Sequence, residues 1–112
     1  MLPKKNRLSK TAEVNLTTAK GRTFFSPSFL VKFLNKPEIQ NPQITVIAST
    51  KVSKSAVVRN RLKRIVRQGL HDHVDKIKPG YYVFVLKHSA TATEPEDIRK
   101  ELLLTLKKSK II

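Results

Sequence analysis

A chain of 112 residues fits one domain with a modest core, and an apolar fraction of 39% with five Phe and two Tyr favours a packed fold over a disordered one. The absence of Cys excludes disulfides and thiolate metal sites, and no apolar run is long enough to span a bilayer. The net charge of +15 demands a polyanionic partner, because that much like charge destabilises a compact state unless it is neutralised.

Nucleic acid is the usual polyanion of a cytoplasm, and an anionic membrane surface is the rival. The charge is uneven along the chain. Residues 1–67 hold 15 Lys and Arg against two acids, Glu13 and Glu38, whereas residues 68–112 hold eight against six.

The first ten residues, MLPKKNRLSK, are basic and lack the apolar stretch of a secretory signal, so the expectation is a mobile segment on a cytoplasmic protein. A short helix is predicted over Thr11–Lys20, capped by Thr11 or Ser9 and ended by Gly21. Strands follow at Thr23–Phe25 and Ser28–Leu34 around Ser26-Pro27. Alternation in the second strand puts Phe29, Val31 and Phe33 on one face and Leu30 and Lys32 on the other, leaving the Lys32 charge free. The β-branched run QITVIAS, 43–49, is a third strand.

The next segment, AVVRNRLKRIVRQGL (56–70), combines a cationic run with a regular apolar beat. At about 100° per residue, Val58, Leu62, Ile65, Val66 and Gly69 fall within one arc. Arg59, Asn60, Lys63, Arg64 and Arg67 take the opposite arc, with Arg61 beside them. A disordered tail has no need of that period, so the segment is an amphipathic helix with a cationic stripe, running to about Lys76. No acid occurs between Lys51 and Arg67, although ordinary solvated helices interleave acids for i,i+4 pairs. The stripe therefore reads as a binding face, and the Asn60 amide can both donate and accept there.

YYVFVL, 81–86, is apolar throughout and reads as a central strand covered on both sides. Thr93-Glu94-Pro95-Glu96 has the form of a capping box opening a last helix, with Ile98, Leu102 and Leu106 on its buried face. The acids Glu94, Glu96, Asp97 and Glu101 at its start complement the helix dipole. The element order is α-β-β-β-α-β-α, a single α+β domain over residues 1–112.

Groups for catalysis are scarce. His71-Asp72-His73 is too closely spaced for two ligands on one helix face, and Asp72 and Asp75 lack partners for a nuclease metal. Ser49, His88 and Asp97 have no spacing that favours a triad, and three glycines make no phosphate loop. The aromatic residues Phe24, Phe25, Phe29 and Phe33 read first as core, with base stacking open to whichever is most exposed.

The run Arg59-Asn60-Arg61-Leu62-Lys63-Arg64-Ile65-Val66-Arg67 resembles the RNR signature of the bacterial ribonuclease P protein component. Arg7-Leu8 before a short helix, Gly21, Phe29, Ser49, Lys51, Ala56 and the strand YYVFVLK extend the likeness over nearly the whole chain. The resemblance implies a four-stranded mixed sheet packed by helices, with a left-handed β-α-β crossover around the RNR helix (ribosomal S5 domain 2-like). It implies a protein subunit of an endoribonuclease that removes the 5′ leader of precursor tRNA, with chemistry carried by the RNA subunit and Mg²⁺ and no obligate protein partner.

By the same resemblance, ribonuclease P RNA is held by Lys51, Lys54, Arg59, Asn60, Arg61, Lys63, Arg64 and Arg67. The precursor tRNA leader lies in a cleft at Val14, Thr18, Leu30 and Lys32. The chain departs from the family at Val14, Thr18 and Lys32, where aromatics are usual, and at Lys54, where Gly is frequent. Two other readings stay open at this level: a ribosomal or other structural RNA-binding protein, and an independent metal-dependent nuclease.

Overall fold

A computed structural model describes residues 2–112 of the chain. β-Branched and aromatic runs build four strands, β1 (Arg22–Phe25), β2 (Phe29–Asn35), β3 (Gln43–Ile47) and β4 (Gly80–Leu86). Three helices accompany them, α1 (Thr11–Lys20), α2 (Ala56–His71) and α3 (Pro95–Lys108), with short 3₁₀ turns at Lys4–Asn6, Val74–Lys76 and His88–Ala92. The order matches the α-β-β-β-α-β-α expectation.

The sheet runs β1-β2-β4-β3. Strand β2 is antiparallel to both β1 and β4, and β3 is parallel to β4, so the sheet is mixed. The β3-α2-β4 segment is the parallel unit, where the resemblance places its crossover. Strand β4 is central and largely buried, as its unbroken apolar sequence requires.

The register assigns the two faces. Val31 stands opposite Phe84, Phe33 opposite Tyr82, and Val46 opposite Phe84 on the far side. This face carries the core, with Phe29, Val31, Tyr82 and Phe84 packed under Leu62, Val66 and Leu70 of α2 and Ile98, Leu102 and Leu106 of α3. Phe33 stacks on Tyr82 at 4.7 Å between ring centroids. Helices α2 and α3 approach most closely at Gly69, where a Cβ would sit 2.8 Å from a Leu102 methyl. The opposite face presents Leu30, Lys32, Val83 and Val85, and α1 packs there on β2 and β4, burying Val83 completely.

Four sequence expectations are corrected. The N-terminal segment is packed: Leu2 and Leu8 are buried, Asn6 Nδ2 donates to the Pro42 carbonyl at 2.9 Å, and Leu8 N–H donates to Ile44 O along the β3 edge. Its leucines and asparagine outweigh the charge that suggested mobility. Helix α1 begins after Lys10 with no side-chain cap, and Glu13 in the first turn complements the dipole there.

Helix α2 stops at His71, because His73 has left helical geometry, and a separate 3₁₀ turn covers Val74–Lys76. The capping box does not form. Glu94 is the cap residue and makes no side-chain bond, while Thr93 Oγ1 donates to Ser89 O at 2.9 Å. Pro95 at the first position orders the helix start instead.

Because Leu62 is 1% exposed at the centre of the α2 contact, Leu62→Ala is expected to cost about 2–5 kcal/mol in a urea melt. An unchanged midpoint would show that this face does not pack on the sheet.

Candidate nucleic-acid interface

Helix α2 is entered through a loop tied down by short-range bonds. Ser55 is its N-cap and accepts from Val58 N–H at 3.3 Å, Ser53 Oγ accepts from Ser55 N–H at 3.1 Å, and Arg59 Nη1 donates to Ser53 O at 2.8 Å. The helix phase read from the sequence holds. Leu62, Ile65, Val66, Gly69 and Leu70 are buried, and Val58 is half-buried.

Along the stripe, Asn60, Arg61 and Arg64 are exposed, and Arg59, Lys63 and Arg67 are half-buried at its flank. Lys51 and Lys54 are exposed in the loop before it. Among the described residues the ion pairs are Lys10–Glu13 and Lys36–Glu38, so no carboxylate neutralises any cation from Lys51 to Arg67. The helix offers guanidinium and ammonium groups to an outside partner at spacings set by a rigid backbone.

The four cleft positions lie on or beside α1 and the sheet face it covers. Val14 and Leu30 are half-buried and Thr18 is exposed. Lys32 is less free than the alternation suggested. Its Nζ donates to the Thr18 carbonyl at 3.0 Å, which binds β2 to the last turn of α1 and complements the negative end of that helix. Thr18 Oγ1 turns inward to donate to Val14 O at 2.9 Å.

A cavity of about 440 Å³ between the N-terminal segment, α1 and the β3 edge is lined by Arg7, Leu8, Val14, Thr45 and Arg67. Val14 of the cleft and Arg67 of the stripe therefore meet at one opening, although their helices pack on opposite faces of the sheet.

Several participants carry no local sequence signal for their role. Arg7 lines this cavity and donates from Nε to Leu2 O at 2.9 Å. Glu101 lies beyond the first turn of α3, the turn where the dipole would call for an acid. Its carboxylate instead accepts from Ser26 Oγ at 2.6 Å, Ser28 Oγ at 2.7 Å and Ser28 N–H at 2.9 Å, fixing the β1–β2 turn. The two serines around Pro27 were the available signal, because buried hydroxyls need partners.

The groups weighed for catalysis serve structure or face solvent. His88 Nδ1 lies 2.8 Å from Val52 O, Ser49 Oγ accepts from Lys51 N–H, and His71 and Asp72 are exposed at the α2 terminus.

The ribonuclease P family model matches residues 2–110. The chain belongs to the ribonuclease P protein family. A ribonuclease P protein component from Bacillus cereus strain B4264 is 33% identical over 109 residues, covering 96% of this chain and 94% of the relative. The solved ribonuclease P protein of Staphylococcus aureus superposes with a TM-score of 0.88 at 25% identity, covering 95% of this chain and 96% of that one. The Thermotoga maritima ribonuclease P protein shares the fold, with a TM-score of 0.80 at 22% identity over 91% of this chain and 96% of that one. In this ribonuclease P protein the RNR run is thus a packed helix with an unpaired cationic face.

Arg59 differs from its neighbours because it also holds the entry loop. Arg59→Ala is expected to cost about 1 kcal/mol of stability through the lost bond to Ser53. Arg61→Ala and Arg64→Ala should stay within about 0.5 kcal/mol of the parent. Equal destabilisation of all three in denaturant melts would contradict this division.

Proposed function

We propose that the cationic face of α2, with Lys51 and Lys54, binds ribonuclease P RNA, and that the sheet face beside α1 receives the 5′ leader of precursor tRNA. The observation that carries the reading is the acid-free run of unpaired cations from Lys51 to Arg67, most of it on a helix whose other side packs in the core. Phosphate contacts of this kind position a partner without reading its sequence, which suits a structured RNA. Membership of the ribonuclease P family supports the choice of RNA.

In this reading the hydrolysis of the leader phosphodiester belongs to the RNA subunit, and the protein contributes affinity and placement. Mg²⁺ would be held by the RNA and the substrate. Among the described residues no three His, Asp or Glu side chains converge to hold a metal. The described carboxylates near the interface are engaged, Glu13 with Lys10 and Glu101 with the β1–β2 turn. No helix among the described residues is long and apolar enough to cross a membrane, and a cytoplasmic site of action is part of the proposal.

The test is reconstitution. Purified protein with precursor tRNA and Mg²⁺ should cut only when a ribonuclease P RNA is added, and faster than that RNA alone at low Mg²⁺. Cutting without the RNA would identify an independent nuclease, and no enhancement with it would favour a structural RNA-binding role.

The same particle gives an electrostatic check. If roughly 6–10 phosphates are neutralised, affinity for the RNA should fall about 10³–10⁵-fold between about 50 and 200 mM monovalent salt. A nearly flat log–log plot would rule out a footprint of this size.

A further inference from the structure

The sheet face beside α1 is not covered along its whole length. One row of residues crosses all four strands on that face: Phe25 of β1 stands opposite Leu30 of β2, Leu30 opposite Val85 of β4, and Val85 opposite Ile47 of β3. With strands about 4.8 Å apart, the row is roughly 14 Å long. Leu30 and Val85 are half-buried, Ile47 is 37% exposed and Phe25 is 73% exposed. The neighbouring row, which contains Lys32 and Val83, is the one that α1 closes over.

A single exposed Phe is ordinary on a protein surface. Phe25 is distinguished by how it is held and by what surrounds it. The turn after it is fixed by the three hydrogen bonds to Glu101 and by Ser26 N–H donating to Phe29 O at 2.9 Å. Lys87 Nζ lies over the ring, 5.6 Å from its centroid, and donates to Ser26 O at 2.9 Å. The ring is thus set in place before any ligand arrives, which lowers the ordering cost of binding. An ammonium group over one side of a ring that is otherwise largely exposed suits a group that is flat and attached to an anion.

We infer that Phe25 is a stacking platform for an unpaired base of the leader, with Leu30, Val85 and Ile47 continuing the apolar floor and Lys87 meeting the adjoining phosphate. The inference rests on the proposed leader cleft and names its aromatic contact. It places that contact on the edge strand, in a chain where Val14, Thr18 and Lys32 supply no aromatic ring. Stacking of a base on an aromatic ring tolerates any sequence, because every base has a π face. A second copy of the chain is the poorer occupant, since each copy carries +15.

The chain has no Trp, so Phe25→Trp places a sole indole reporter at the platform. In the reconstituted particle, its emission should be quenched by precursor tRNA with a five-nucleotide leader and not by tRNA trimmed to its mature 5′ end. Phe25→Ala should weaken binding of the leader-bearing precursor by about tenfold, the scale of one base stack, and leave mature tRNA binding unchanged. Its melting midpoint should match that of the parent, because the side chain is exposed.

If the wild-type particle prefers the leader-bearing form while Phe25→Ala loses nothing and the Trp emission does not move, the platform is wrong and the cleft reading survives. No leader preference in the wild type would remove the cleft reading and the platform together. Sedimentation showing a wild-type dimer that Phe25→Ala dissociates would reassign the row to self-association and overturn the inference.

Discussion

Helix α2 is held on the sheet by Leu62, Ile65, Val66 and Leu70 against the mutual repulsion of the cations on its other side. Burial of four such side chains is worth roughly 6–12 kcal/mol at about 1.5–3 kcal/mol each, an upper figure because the unfolded chain is not fully extended. Four like-charged pairs, Arg59–Lys63, Lys63–Arg67, Arg61–Arg64 and Arg64–Arg67, oppose it by about 1–2 kcal/mol in total at roughly 0.2–0.5 kcal/mol each. Burial wins, so the helix can carry an acid-free face without unfolding. The repulsion remains as an unmet demand for counter-charge, and a polyanion that binds only the folded state relieves it and stabilises the fold.

The sheet separates this helix from a second surface. Strand alternation sends Phe29, Val31 and Phe84 toward α2 and α3 and sends Leu30, Lys32 and Val85 the other way. A one-residue slip of β2 would exchange the faces and bury Lys32, so the register is held by the core itself. The surfaces are nevertheless continuous around the β3 edge, where Arg67 and Val14 line one cavity. On the proposed reading, an RNA held on α2 and a strand lying beside α1 would adjoin at that opening.

The sequence disclosed most of this because the decisive patterns are periodic. The α2 phase, the β2 alternation and the uniform apolar β4 each depend on a local repeat that tertiary packing then obeys. What it hid depends on contacts between distant residues. Glu101 reaches Ser26 and Ser28 across more than 70 positions, and Asn6 reaches Pro42 across 36. No local pattern reports such pairs, so the sequence alone points Glu101 to a helix dipole and the packed terminus to mobility. Lys32 shows the same effect at shorter range, since its bond to Thr18 exists only once α1 lies on β2. Phe25 was one of four aromatics with no sequence feature to rank them, and only the position of β1 at the sheet edge leaves it open.

The proposed separation of two RNA surfaces on one small domain can be measured directly, because the chain has no native Cys. Arg64→Cys and Thr18→Cys, each carrying a short photo-crosslinker, report from the α2 stripe and from the α1 side of the sheet. In the particle assembled with precursor tRNA, the probe at position 64 should crosslink the RNA subunit, and the probe at position 18 should crosslink the leader. Crosslinking of both probes to the same RNA segment, or of the position 18 probe to the RNA subunit with no leader product, would contradict the account.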